Sequence, residues 1–92
     1  VAHCAHIANA TSLPLIADAD TGYGGPDNAA RTVRDLERAG VSGMHLEDQE
    51  FPKRCGHLEG KTLVDAEAFC EVIAAAAAAK SSPDFLLIAR TD

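Results

Sequence analysis

Leu15-Ile16-Ala17-Asp18-Ala19-Asp20 is a short apolar run that ends in two carboxylates one residue apart. Pro14 precedes it, and the glycine-rich stretch Thr21-Gly22-Tyr23-Gly24-Gly25-Pro26 follows it. A short apolar run bounded by such breakers reads as a buried strand, here with an acidic tip. The same design recurs downstream. Val41 to Leu46 runs into Glu47-Asp48, and Phe85-Leu86-Leu87-Ile88-Ala89 runs into Arg90-Thr91-Asp92.

Helical spacing fills the intervals. Asp27 or Asn28 is placed to cap a helix on which Ala29, Val33, Leu36 and Ala39 share one face, with Gly40 as its stop. Asp65 caps a second helix with an apolar stripe of Phe69, Val72, Ile73, Ala76 and Ala77, and Ser81-Ser82-Pro83 ends it. The alanine run Ala74 to Ala79 strengthens that helix. Upstream of the first strand, His3, Cys4, His6, Ile7 and Ala10 recur at helical spacing until Thr11-Ser12 and Pro14 break it. Strand, helix, strand, helix, strand with near-continuous apolar strands implies a parallel sheet covered by helices, an α/β fold. Such folds place function at the C-terminal ends of their strands. All three strands end in charge, so these ends converge on one site.

Composition narrows the function classes. The 92 residues suffice for one small domain, and 47% of them are hydrophobic, enough for a core. No apolar span of membrane-crossing length is present. A net charge of -6 disfavours nucleic acid and anionic membrane surfaces as partners. Cys4, Cys55 and Cys70 are an odd number without framework spacing, so a reduced intracellular setting is expected. The N-terminal Val1-Ala2-His3-Cys4 shows no targeting pattern.

The candidate site residues follow from chemistry. Alternation along an extended chain puts Asp18 and Asp20 on one side, where paired carboxylate oxygens suit Mg²⁺, and Glu47 is placed to complete the shell directly or through water. A polar turn after a strand is the plain alternative. Gly22, Gly24 and Gly25 fit neither of the common phosphate-cradling patterns and read as an active-site loop that Tyr23 is placed to cap. Arg90 suits a substrate carboxylate, which it can hold with two parallel hydrogen bonds; an ion pair with Asp92 or Glu47 is the competing reading. Lys53-Arg54-Cys55-Gly56-His57 surrounds one thiol with cations and an imidazole, which favours thiolate, and marks Cys55 for proton transfer or nucleophilic attack. His3, Cys4 and His6 taken with Cys55 and His57 match no zinc spacing. Cys4 and Cys70 read as buried packing residues, and His45 as a core or barrel-interior histidine.

Four stretches together resemble the isocitrate lyase and phosphoenolpyruvate mutase superfamily. They are Pro14 to Gly24, Leu46-Glu47-Asp48-Gln49, Lys53 to His57, and Ala89-Arg90-Thr91-Asp92. The Lys-Arg-Cys-Gly-His form resembles the methylisocitrate lyase branch most, whereas the branch that handles carbon–phosphorus bonds usually lacks Cys-Gly-His. The resemblance implies a (β/α)₈ barrel, a homotetramer, Mg²⁺ or Mn²⁺, and retro-aldol cleavage of a small 2-hydroxy tri- or dicarboxylate. It implies Asp18, Asp20 and Glu47 at the metal and Cys55 exchanging a proton with the succinate-like carbon. It also implies Gly56 and Arg90 on the substrate, and His57 supporting Cys55. A cytoplasmic enzyme is expected, or a mitochondrial one in a eukaryote. A complete barrel needs about 200 to 250 residues, so residues 1–92 are expected to be a partial barrel domain, truncated at both ends and inactive alone. Oxaloacetate hydrolysis or dimethylmalate cleavage on the same fold, and a degenerate non-catalytic binding module, are the alternatives.

Overall fold

The computed structural model describes residues 2–20, 22–49 and 63–91. Six elements follow one another: α1 (Ala2–Ala10), β1 (Ile16–Asp18), α2 (Pro26–Arg38), β2 (Gly43–Glu47), α3 (Ala66–Ala79) and β3 (Leu86–Arg90). The strands form one parallel sheet in the order β1-β2-β3. This is the α/β arc expected from the sequence: three parallel strands with intervening helices.

Local chemistry explains where the helices begin and end. Gly25 is the N-cap of α2 at φ 106°, and Pro26 occupies the first helical position, where its fixed φ suits the turn and its missing N–H costs nothing. The expected cap at Asp27 or Asn28 is therefore corrected, because both lie inside the first turn and neither caps through its side chain. At the other end the Val41 N–H donates to the Leu36 carbonyl and the Gly40 N–H to the Glu37 carbonyl, with Gly40 at φ 89°. That reciprocal pair is a Schellman stop, and the left-handed residue it requires is the glycine. In α3 the Asp65 carboxylate accepts from the Ala68 N–H at 2.8 Å, as expected.

The core lies between the sheet and the helices α2 and α3. Met44 and Leu46 project from β2 with no exposed surface, against Val33 and Leu36 of α2 and Ala76 of α3. Phe69, Val72 and Ile73 pack partly buried against this cluster. Two expectations about α3 fail: Ala77 and Cys70 are exposed. Cys4 is half-buried and packs on the core from α1.

Alternation sends the other half of each strand to the opposite face. The register places Ile16, Gly43 and Leu86 in one row, Asp18, His45 and Ile88 in the next, and Glu47 beside Arg90 at the tip. Among the described residues no helix covers this face, and Ile16, Leu86 and Ile88 remain 48%, 51% and 37% exposed. The parallel sheet covered by helices that the sequence implied is thus covered on one face, by α2 and α3. Among the described residues, no helix is long and apolar enough to cross a membrane.

Candidate active site

β1 ends at Asp18, and the chain turns immediately afterwards. The Asp18 carboxylate accepts the Asp20 N–H at 2.9 Å, and Asp20 stands in the left-handed region at φ 50°. Asp18 and Asp20 therefore converge through a turn and not through strand alternation, which corrects the expected geometry. The turn is tied to β2 by two backbone bonds. The Ala19 N–H donates to the His45 carbonyl at 3.1 Å, and the Glu47 N–H donates to the Asp20 carbonyl at 2.8 Å. These bonds deliver Glu47, only 3% exposed, to the same place.

Asp18, Asp20 and Glu47 each offer a carboxylate oxygen, and the three oxygens lie within 4.8 Å of one another. Three like charges so close, one of them buried, repel strongly unless a cation offsets them. The donor set is all oxygen, the type that hard divalent ions such as Mg²⁺ take. These residues fit the metal that the sequence reading assigned to them.

The loop after Asp20 carries an uncommon density of left-handed backbone. Gly22, Tyr23, Gly24 and Gly25 have φ of 88°, 63°, 118° and 106°. Glycine bears this freely, but Asp20 and Tyr23 each cost about 1–2 kcal/mol. Strain of this kind persists only where surrounding contacts over-determine it, typically at functional sites. Two contacts do so. A methyl added at Gly22 would sit 3.1 Å from the Ala29 side chain, so the loop lies directly on α2. The Asn28 amide of α2 also donates to the Tyr23 carbonyl at 2.9 Å. Tyr23 itself is 58% exposed beside this turn.

Three further residues surround the cluster. His45 faces it from the neighbouring strand, in register with Asp18, with Nδ1 3.7 Å from the Asp18 carboxylate, longer than a hydrogen bond. The expected interior histidine is therefore a neighbour of the acidic site. Asp48 is buried and accepts a hydrogen bond from the Thr91 hydroxyl, which joins the ends of β2 and β3. Arg90 is the register partner of Glu47, so β3 delivers its cation to the acidic end of the sheet. Asp48 was already marked among the charged strand ends, whereas Asn28 stood out in the sequence only as a candidate helix cap. Cys55 and Gly56, expected on the substrate, and His57, expected to support the thiol, lie outside the described residues, as does Asp92.

The comparisons with known proteins agree with this fold. The family model for phosphoenolpyruvate phosphomutase matches residues 1–92. A Corynebacterium glutamicum protein named "Probable 2-methylisocitrate lyase 1" is 56% identical over 93 residues, covering 100% of this chain and 30% of that protein. The solved structure of 2,3-dimethylmalate lyase, a member of the PEP mutase/isocitrate lyase superfamily, superposes with a TM-score of 0.91 at 49% identity. That match covers 98% of this chain and 31% of the other. Oxaloacetate acetylhydrolase bound to 3,3-difluorooxalacetate superposes with a TM-score of 0.88 at 53% identity, over 96% of this chain and 31% of the other. The chain spans about a third of the length of the relatives it matches.

Proposed function

This chain belongs to the phosphoenolpyruvate phosphomutase family, and on that premise we propose that it forms one arc of the barrel of a Mg²⁺-dependent carbon–carbon lyase. The substrate class is a 2-hydroxy tri- or dicarboxylate of the 2-methylisocitrate kind, split into a succinate-like acid and pyruvate or glyoxylate. The observation that carries this reading is the convergence of Asp18, Asp20 and Glu47 at the strand ends, with Arg90 in register beside Glu47.

Each residue has a task in that reaction. Asp18 and Asp20 would hold Mg²⁺, and Glu47 would complete its shell directly or through water. The bound ion supplies Lewis-acid polarisation of the α-oxo acid oxygens. Arg90 binds a substrate carboxylate in a bidentate pair, which fixes the scissile bond in place. Breaking that bond turns the hydroxyl into a carbonyl, its proton passing to solvent, and leaves an electron pair on the carbon beside a carboxylate. Cys55 Sγ–H returns a proton to that carbon, His57 supports the thiol, and Gly56 lets the backbone approach the substrate.

The whole protein would be a homotetramer acting on small carboxylates in the cytoplasm. The test is the protein from the full reading frame, assayed with 2-methylisocitrate, isocitrate, dimethylmalate and oxaloacetate, with Mg²⁺ and with chelator. Metal-dependent cleavage of a 2-hydroxy acid that falls by at least about 10²-fold in Cys55→Ala, the scale of a lost proton donor, is the expected result. A Cys55→Ala protein with undiminished rate would remove the thiol from the mechanism, and a wild-type protein that cleaves none of these acids would favour a binding module. The likeness to oxaloacetate acetylhydrolase supports a second reading, hydrolysis of oxaloacetate on the same site, and the same substrate panel separates the two.

A further inference from the structure

The loop that begins at Asp20 supplies one ligand of the acidic cluster, and Asp20 itself is tied to Asp18 and to β2. Asp20 and Tyr23 are both left-handed without being glycine. The far end of the loop, at Tyr23 and Gly24, is fastened by α2. Asn28 Nδ2 donates to the Tyr23 carbonyl at 2.9 Å and also reaches the Gly24 carbonyl at 3.5 Å. A helical asparagine near an N-terminus normally accepts from backbone N–H groups as a cap. Asn28 does the reverse, because α2 starts at Gly25 without a side-chain cap and the Asn28 amide is spent as a donor on the preceding loop. The room for that amide comes from Gly24. A Cβ there would lie 2.7 Å from Asn28 Nδ2. Asn28 is itself anchored, since the Thr32 hydroxyl donates to its carbonyl at 2.8 Å.

We propose that Asn28 is a positioning residue for the metal site: its amide locks the left-handed loop, so that the Asp20 carboxylate is held toward Asp18 and Glu47 before the ion arrives. The inference rests on the metal-binding reading of that cluster. Partners that orient a ligand carboxylate usually matter by about 10- to 100-fold in metal affinity, although they never touch the ion. The role needs a donor at this position, whereas a capping or helix-forming role does not.

The full-length protein decides it, with Mn²⁺ alone as the probe and free Mn²⁺ read by electron paramagnetic resonance. Asn28→Asp keeps the size, adds a charge that favours a helix N-terminus, and removes the donor. By charge alone it would tighten Mn²⁺ binding; by loss of the lock it weakens it. The expected result is an increase in Mn²⁺ Kd of roughly tenfold in Asn28→Asp and in Asn28→Ala. The thermal midpoint of the metal-free protein should stay within a few degrees of wild type. Should Asn28→Ala fail to fold, the Asp variant carries the test. Wild-type Kd in a folded Asn28 variant, tighter binding in Asn28→Asp, or a fall in affinity matched by a collapse in the metal-free midpoint overturns the proposal. Asp20→Asn separates the two levels. If wild type binds Mn²⁺, Asp20→Asn does not, and the Asn28 variants bind like wild type, only the Asn28 role fails. If wild type takes up no Mn²⁺, or Asp20→Asn binds equally well, the metal site itself fails and the Asn28 role with it.

Discussion

Gly43 sets the register on which the site depends. It opens β2 opposite Ile16 on one side and Leu86 on the other, and four residues later the same strand delivers Glu47 beside Arg90. A Cβ at Gly43 would lie 2.7 Å from the Leu86 carbonyl oxygen and 2.8 Å from its Cβ. Backbone of a neighbouring strand cannot yield as a flexible side chain does. Gly43→Ala should therefore destabilise the full-length protein by about 1–3 kcal/mol, the usual cost of overpacking, where an unobstructed strand glycine would gain from the change. Urea denaturation midpoints measure it, and a midpoint equal to or above wild type refutes the close approach. Thr91 is the second case. Its hydroxyl donates to the buried Asp48 carboxylate across the strand ends. Thr91→Val removes a hydrogen bond to a charged group and should cost about 1.5–3 kcal/mol by the same measurement. Thr91→Ser, which keeps the donor, should recover most of it.

At the scale of elements, one carboxylate adds a polar strap from α2 to the turn after α3, beside their shared apolar packing. Glu37 accepts from the Ser81 N–H at 2.8 Å, the Ser82 N–H at 3.0 Å and the Ser81 hydroxyl at 3.2 Å. The Ser81 N–H, above all, holds the Glu37 carboxyl below its ordinary value of 4.5. A carboxylate lowered in the folded state adds stability above its unfolded value and loses it as the pH falls through the folded value. The gap in urea midpoint between wild type and Glu37→Gln should thus be present at pH 7, begin to close near pH 4.5 and vanish in more acid solution. A gap that widens on acidification would contradict the strap. This strap was not legible in the sequence, because Glu37 and Ser81 lie far apart along the chain and no periodicity links them. The order of elements was legible, because each strand is an apolar run closed by charge and each helix has its own stop. The start of α2 was misread at Asp27 or Asn28, since a glycine–proline pair caps by backbone conformation, which residue type alone reports weakly. The faces of α3 were blurred for a related reason. In a helix of alanines little polar contrast marks the buried stripe, so exposed Cys70 and Ala77 looked like core.

At the scale of the whole molecule, the acidic trio was legible as residues and illegible as geometry. The turn that brings Asp20 back toward Asp18 depends on left-handed backbone that no alternation rule contains. The uncovered sheet face is the larger consequence. Ile16, Leu86 and Ile88 line the side opposite the helices, where the remaining strands of a barrel would close over them. Unpaired strand edges beside an exposed apolar face promote association. A purified chain of these 92 residues should sediment as aggregates or oligomers and show no cleavage of 2-methylisocitrate with Mg²⁺. One pair of substitutions distinguishes a face awaiting its barrel from a natural solvent surface. Leu86→Ala with Ile88→Ala removes apolar area, so in the 92-residue chain it should reduce association in sedimentation velocity. In the full-length protein the same pair empties a core, and each change should cost about 2–5 kcal/mol in urea unfolding. Opposite signs in the two chains are what a barrel interior demands. If the pair were harmless to the full-length protein, this face would be solvent-exposed there as well, and the one-arc reading would fall.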